Sequence, residues 1–553
     1  MSTIRQHVTR VSELQDYEVE ANRFIKNHAE TSSHRDCVAI NGQGRKRIRS
    51  RSKNITAYSN DMLRYAGRKE EAMAYRLGNR EQLGLLPASI EDYVSQEDPV
   101  RVYDAFVEKL NFTELGIEID EDQVGNPEYD PKAMMKLLVY GYSYGVKGSR
   151  KLERECHHNL SFMWLMGGLK PDHKTIAEYR RRHQKALAKV LKQCVRVCME
   201  LNLIAGNVLF VDGTKIRANA GRGKSHGREW YDNKLKEIDR RIEQLLEESE
   251  QIDQQEADQG SSVRIDKELA QAERLKEKIA QALRVLQESG REKVNLTDPD
   301  CAIMHSAQGS HASYNVQSVV DDQNGLIVHV EAVSDGTDVN QFARQIDGAK
   351  EELGKPCEVG CADAGYADSE ELKKIDEQSI KVVVPSQRQA LHSKEEKPFS
   401  KSHFSYHQEK DWYVCPAGQV LKYVGKNHHN GKKDYRISEP RICQSCVNWG
   451  KCTTSKLGRK IVRLAWEDDK QRFEAQYEAN QEIYNRRKAR AEHPFGHIKR
   501  NLKTNSFMLR GQQGVQAESS ILATCFDLAR MMTLVGITAL IDRFKGPAAP
   551  ALA

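Results

Sequence analysis

The stretch Asn207-Val-Leu-Phe-Val-Asp212-Gly-Thr-Lys-Ile-Arg217 is a short apolar run that ends in a carboxylate. Its β-branched and aromatic side chains need cover on both faces and the glycine permits a sharp exit, so the run predicts a buried strand with Asp212 at its end. A carboxylate in that place either caps a turn or points into a site. The chain downstream bears on which. Ser313-Tyr-Asn-Val-Gln-Ser-Val-Val320 and Leu326-Ile-Val-His-Val-Glu-Ala-Val333 flank Asp321-Asp-Gln-Asn-Gly325, a hairpin signal because Asn and Gly both tolerate positive φ. A helical pattern over 339–353 follows, then Cys357-Glu-Val-Gly-Cys-Ala-Asp363-Ala-Gly-Tyr366, a second short run closed by Asp and Gly. A helix over 368–376 and a strand at Lys381-Val-Val-Val-Pro385 complete the series.

If the first and fourth strands lie side by side in a mixed sheet, Asp212 and Asp363 meet although 151 residues separate them. That is the strand order of a ribonuclease-H-like sheet, argued by pattern and analogy. Two carboxylates on neighbouring strands can hold a hard divalent cation, and a third on a covering helix completes a site for two. Tyr484-Asn-Arg-Arg-Lys-Ala-Arg-Ala-Glu492-His-Pro-Phe-Gly-His-Ile-Lys499 offers that third acid: Tyr484, Lys488 and Glu492 share one helix face, and Pro494 is expected to bend or restart the helix. The same spacing on a solvated helix would mean only an i,i+4 ion pair.

The 553 residues suffice for three or four domains, and 85 basic against 79 acidic side chains leave a net charge of +6, which by itself argues little about partners. No apolar leader follows Met1, and the longest apolar tract, 521–541, is broken by Asp527 and Arg530, so a cytoplasmic protein without a membrane partner is expected. Residues 1–80 read as a polar basic extension that includes Arg45-Lys-Arg-Ile-Arg-Ser-Arg-Ser-Lys53, either a solvated tail or a nucleic-acid contact. Residues 90–203 show a helical period, with Pro131 in a first turn and Thr175 opening a short helix that ends in Arg180-Arg-Arg-His183. Such a domain suits either a helix-turn-helix reader of DNA or an ordinary bundle with a basic face. Over 229–290, Leu235, Ile238, Ile242, Leu245 and Ile252, then Ile265, Ala272, Leu275, Ile279, Ala282 and Leu286, predict an inserted antiparallel helical hairpin.

Between the strand ending near 384 and the Glu492 helix, residues 385–470 carry Cys415, Cys443, Cys446 and Cys452. The two-residue gap between Cys443 and Cys446 lets both thiolates face one tetrahedral zinc, and Cys415 and Cys452 could complete it; thiols packed as small hydrophobes fit the spacing equally. Cys37, Cys156, Cys194, Cys198, Cys301, Cys357, Cys361 and Cys525 have no ligand spacing.

Five segments in order, Asp212-Gly-Thr-Lys-Ile-Arg-Ala-Asn219, Lys293-Val-Asn-Leu-Thr-Asp-Pro-Asp300, Tyr314-Asn-Val-Gln317, Ala362-Asp-Ala-Gly-Tyr366 and Glu492-His-Pro-Phe-Gly-His-Ile-Lys499, resemble the DDE transposases of bacterial insertion sequences. The similarity runs over roughly 90–535, to the branch with a helical N-terminal domain and a cysteine-bearing insertion. It implies an α+β and α/β architecture: a ribonuclease-H-like mixed-sheet catalytic core over 207–384 and 471–545, an all-helical DNA-binding domain over 90–203, the inserted hairpin, and a small cysteine-rich, zinc-binding module. It implies Asp212, Asp363 and Glu492 as ligands of two Mg²⁺ or Mn²⁺ ions, and Tyr484, Arg487 and Lys499 as the signature around the third acid. Related branches place the Arg four residues before the Glu, where this chain has Lys488. Lys215 and Arg217 join Tyr484, Arg487 and Lys499 as candidates for gripping DNA. The implied activity is metal-dependent cleavage and strand transfer at terminal inverted repeats, on double-stranded DNA and as a homodimer. The competing readings are a catalytically silent DNA-binding relative and a zinc-containing structural or regulatory protein.

Overall fold

Leu209, Phe210 and Val211 are fully buried in strand β1 (Val208–Arg217), the centre of a six-stranded sheet. Around it stand β4 (Ala302–Ser306), β5 (Gly309–Asp321), β6 (Ile327–Val333), β7 (Val359–Cys361) and β8 (Lys381–Val383). The strand order is β4-β5-β1-β7-β8, with β6 also on β5. β1 is antiparallel to β5 and parallel to β7, and β7 is parallel to β8. β4 and β6 pair with successive stretches of the edge of β5 that β1 leaves free. The first and fourth long-range strands of the expected series are therefore neighbours, and this mixed α/β arrangement is compatible with a ribonuclease-H-like core. Two short strands, β2 (Ser225–His226) and β3 (Val294–Asn295), pair separately.

The computed structural model describes residues 89–119, 128–254, 259–306, 309–390, 399–426 and 432–546, without the side chains of 250–263. The chain divides into two units, Met1–Leu83 and Gly84–Ala553, and every described residue belongs to the second. The 1–80 extension with its Arg45–Lys53 run, Cys37 and the side chain of Ile252 lie outside the described residues.

Alternation along β1 splits its side chains between two layers. Leu209 and Val211 share a core with Phe342 and Ile346 of the Phe342–Leu353 helix, whereas Phe210 packs with Tyr477 and Ala491 below the Gln481–Arg500 helix. A long helix, Gly511–Val535, buries Val515, Ile521, Leu522 and Phe526 between β6 and the helices of residues 100–200, so those helices and the sheet share one core. Asp298 and Asp300 accept from the Gly511 and Gln512 amides (3.2 and 2.8 Å) at the start of this helix, a structural duty for the Lys293–Asp300 segment. The hairpin helices Arg228–Gln254 and Gln259–Ser289, each about 40 Å or more in length, join through Tyr231, Ile238, Ile279, Ala282 and Leu286. The cysteine-bearing segment forms a five-stranded antiparallel sheet of β9 (Ser405–His407), β10 (Trp412–Val414), β11 (Val420–Lys426), β12 (Lys433–Ile437) and β13 (Lys460–Arg463) around Tyr413, Leu421, Tyr435 and Ile461.

Three local expectations are corrected. β1 does not stop at Asp212 but continues to Arg217, because β5 pairs along its whole length while β7 leaves after Phe210↔Cys361. Thr175 does not open its helix; Asp172 does, its carboxylate accepting from the Thr175 amide at 2.7 Å ahead of His173–Arg182. Pro494 does not restart the helix: one helix runs from Gln481 to Arg500, with Pro494, Phe495 and Ile498 buried, and their packing outweighs one missing hydrogen bond.

Among the described residues no single helix is long and apolar enough to cross a membrane; the Gly511–Val535 and Ile537–Lys545 pair passes jointly on composition but bends by 110°. The first of these carries two buried acids. Asp527 accepts from the Ile327 amide at 2.8 Å, its other oxygen has no partner, and burial lifts its pKa well above the usual value. A carboxyl protonated in the native state and ionised when unfolded binds more protons native, so it makes stability fall as pH rises above about 4. Asp527→Asn, which removes that dependence and keeps an acceptor for Ile327, should gain melting temperature relative to wild type on going from pH 5 to pH 8, read by thermal unfolding at both.

Candidate active site

Asp212 and Asp363 each lie two residues past the last parallel pair, Phe210↔Cys361. By the period of two, both carboxylates leave the sheet on the face that Phe210 and Cys361 share, the face covered by the Gln481–Arg500 helix. Ala491 is buried there against the strands, which sets Glu492 beside it at the rim with half its side chain in solvent. Arg487, one turn earlier and 12% exposed, reaches in between: Nη1 stands 3.8 Å from Asp212 Oδ2 and Nη2 3.9 Å from Glu492 Oε1. Its guanidinium also lies 5.6 Å from the Tyr484 ring centre.

The electrostatics mark the three acids as one cluster. Burial pushes the Asp212 carboxyl up to about 6, opposed by Arg487 and the Gly213 amide and reinforced by the charges of Asp363 and Glu492. The Arg487 pKa also rises: burial disfavours its charge, but Asp212 and Asp363 more than restore it. Lys499 donates to Thr214 Oγ1 at 2.5 Å, and burial lowers its pKa against the pull of Asp212. Asp363 Oδ1 accepts from the Gly365 amide at 2.7 Å, which fixes the turn that carries it.

On the other face of β1 stands a polar knot that sequence reading passed over. Asp338 Oδ1 accepts from both Asn315 Nδ2 and Gln317 Nε2 at 2.7 Å, and Gln317 Oε1 accepts from the buried Tyr366 hydroxyl at 2.5 Å. Gln317 is paired with Gly213 across the ladder. A Cβ on residue 213 would stand 2.4 Å from Gln317 Nε2 and 3.0 Å from both Asp338 Oδ1 and the Tyr366 hydroxyl, so only glycine fits beside Asp212. Asn315 and Gln317 belong to the Tyr314–Gln317 segment and Tyr366 to the Ala362–Tyr366 segment. Asp338 lies in the irregular Asp335-Gly-Thr-Asp338 loop after β6, where its only sequence signal is an acid next to a strand end.

The remaining candidates are dispersed. Lys215 Nζ donates to the His305 carbonyl at 3.2 Å, and Arg217 is exposed at the end of β1. Lys488 is exposed, so Arg487, not the residue four before Glu492, is the cation at the acids. In the basic helix, Arg180 is buried and donates to the Lys147 carbonyl at 2.9 Å, while Arg181 and Arg182 pair with Glu178 and Glu128. A face in which one of three arginines is structural is less suited to phosphates than its composition suggests.

Among the described residues no three His, Cys, Asp or Glu side chains stand as a ready-made cation cage. The donor chemistry of the acids nevertheless suits a hard divalent ion, since all three are carboxylates and Asp212, lifted chiefly by burial, is also raised by the charges of Asp363 and Glu492. Cys415, Cys443, Cys446 and Cys452 line one cavity of about 40 Å³. The amides of Gln419, Arg459 and Asn448 approach the sulfurs of Cys415, Cys443 and Cys446 at 3.4–3.5 Å. Such donors steady thiolates, so the set suits a soft tetrahedral ion.

Two family models match this chain: "Transposase domain (DUF772)" over residues 88–182 and "Transposase DDE domain" over residues 414–532. The second span includes Glu492 and the four cysteines. No curated protein matches.

The close fit around residue 213 makes a direct expectation. Gly213→Ala should cost about 1–3 kcal/mol through forced displacement of Gln317 and Tyr366. Gly223→Ala, where nothing lies within 4 Å, should stay within about 0.5 kcal/mol; urea unfolding of the two variants makes the comparison.

Proposed function

We infer from the two family matches that the chain is a DDE-type transposase of an insertion sequence, and propose that it binds the terminal inverted repeats of its element, cleaves DNA at their boundary and transfers the freed strand to target DNA. The observation that carries this reading is the convergence of Asp212, Asp363 and Glu492, contributed by two strands and a covering helix, around Arg487. Divalent metal ions serve DDE transposases generally; held here by Asp212, Asp363 and Glu492, two Mg²⁺ or Mn²⁺ ions would supply the positive field that favours an attacking oxygen and stabilises a leaving one.

The chain's own residues do the rest by position and charge. Arg487 tethers Asp212 and Glu492 before any ion is present, which limits the rearrangement that ion entry requires. Lys499, partly buried and anchored on Thr214, is placed to meet a phosphate next to Asp212. Lys215 and Arg217 alternate onto the face of β1 opposite Asp212 and Thr214, so a grip on DNA from them would lie apart from Lys499; Tyr484 supports Arg487 from below. In hydrolysis the water oxygen bonds to phosphorus as the 3′-oxygen leaves with a proton; in transfer that 3′-hydroxyl oxygen bonds to a target phosphorus, the target strand's own 3′-oxygen leaves, and the proton of the attacking hydroxyl ends on it. Because two element ends must be joined, the active species is a homodimer on DNA.

In the cysteine-bearing module, Cys415, Cys443, Cys446 and Cys452 would hold one structural Zn²⁺, a role supported by their shared cavity and the amides at three of the sulfurs.

Incubating the purified protein with a labelled duplex carrying the repeats that flank its gene should give Mg²⁺-dependent nicking at the repeat boundary. Asp212→Asn, Asp363→Asn and Glu492→Gln should each reduce nicking by at least about 10²-fold with little change in end binding. Specific binding without nicking in wild type would instead favour the catalytically silent relative. Elemental analysis should find about one zinc per chain, lost in Cys443→Ser together with melting temperature; a zinc-free, equally stable wild type would leave the thiols as packing groups.

A further inference from the structure

We propose that Asp338 is a positioning residue of the catalytic site, which sets the spacing of Asp212 and Asp363 through a chain of contacts that runs Asp338, Gln317, Tyr366. The inference rests on the transposase reading of the acids and concerns what holds two of them at a working separation.

Asp212 and Asp363 have no direct covalent or hydrogen-bonded link to each other in the short β1–β7 ladder, which ends two residues before both. Beyond that point each is carried by a different segment, β1 and the 363–366 turn, and something has to fix one segment against the other. The knot on the far face does so with four polar groups. Asp338 holds the two amides of Asn315 and Gln317, one oxygen accepting from both, and so fixes the Gln317 side chain in one orientation. With its Nε2 committed to Asp338, Gln317 turns Oε1 to the hydroxyl of Tyr366, three residues after Asp363. The Gln317 amide also lies flat against Gly213, one residue after Asp212. One side chain thus touches the chain next to each acid.

Asp338 is close enough to Asp363 for this to be a tight linkage. The point where a Cβ on residue 365 would stand is 2.9 Å from Asp363 Oδ1 and 3.8 Å from Asp338 Oδ2. Packing alone would not select this geometry: a glutamine side chain has two amide orientations of equal shape, and Asp338 is the group that makes one of them the lower in energy. Removing it frees Gln317 to turn over, its NH₂ then donating to the Tyr366 oxygen, so the link to the Asp363 turn loses its single fixed geometry while the hydrophobic core of the sheet is left untouched.

Supporting groups of this kind cost about 10–100-fold in metal affinity or activity when removed. The test compares wild type, Asp338→Ala, Asp338→Asn and Tyr366→Phe by calorimetric titration with Mn²⁺ and by nicking of the repeat duplex, with metal-free end binding and thermal unfolding alongside. Asp338→Ala should lose about 10–100-fold in Mn²⁺ affinity and need correspondingly more metal for half-maximal nicking, with end binding unchanged. Asp338→Asn keeps an acceptor oxygen for both amides and should lose clearly less; Tyr366→Phe, which removes only a hydroxyl, should shift the Mn²⁺ affinity in the same direction as Asp338→Ala. Unchanged Mn²⁺ affinity in both Asp338→Ala and Tyr366→Phe overturns the proposal. So does loss of Mn²⁺ binding in Asp338→Asn as complete as in Asp363→Asn, which would make Asp338 a direct ligand. A wild type that binds Mn²⁺ but never nicks the duplex counts against the transposase activity alone, since the titrations still read the role of Asp338.

Discussion

The parallel pairing of β1 with β7 is the constraint on which the site depends. It spans three residue pairs and then ends, leaving two strands side by side with a carboxylate on each at the same distance past the last pair. Like charges on adjacent segments repel, the more strongly the less water surrounds them. A fold that keeps such a pair together has to offset that repulsion from outside the sheet. Asp212 records the imbalance, with burial and its acid neighbours pushing its carboxyl up to about 6 even with Arg487 alongside.

The offset comes from both faces. On one, the Gln481–Arg500 helix is fastened to the strands by Tyr484, Ala491 and Phe495, and this anchoring is what brings Arg487 and Glu492 to the acids. On the other, Asn315, Gln317, Asp338 and Tyr366 form a satisfied polar group around a glycine that admits no side chain. The two faces do different work: the helix supplies charge, and the knot supplies rigidity. Glu492 sits at the rim, with Arg487 spanning from it toward Asp212 at 3.8–3.9 Å from each carboxylate.

Much of this frame was legible in the sequence, for identifiable reasons. Apolar runs closed by Asp-Gly and the Asn-Gly hairpin fixed strand identity and order, and strand order placed Asp212 by Asp363. A period of about four residues put Glu492 and its basic neighbours on one helix. What escaped had no period to read. Asp338 lies on an irregular loop, and its partners sit on β5, in a segment noticed only as a motif. Pro494 does not end its helix, because the burial of Phe495 and Ile498 beyond it outweighs the amide it lacks. The helices of 100–200 share a core with the sheet through contacts such as the Leu191 amide on Ser520 Oγ, a separation no local pattern can report. The choice between Arg487 and Lys488 also needed the structure, since helix spacing admits either and only packing shows which turns inward.

The most direct test of the central claim, that Asp212, Asp363 and Glu492 form one metal-holding site, is cleavage of the polypeptide by hydroxyl radicals generated from Fe²⁺ substituted for Mg²⁺, with the cut positions mapped by mass spectrometry. The account predicts cuts clustered near residues 212, 363 and 492, all suppressed by excess Mg²⁺ and all lost together in Asp212→Asn. Cuts scattered over the surface, or confined to the cysteine-bearing module and indifferent to Mg²⁺, would contradict it.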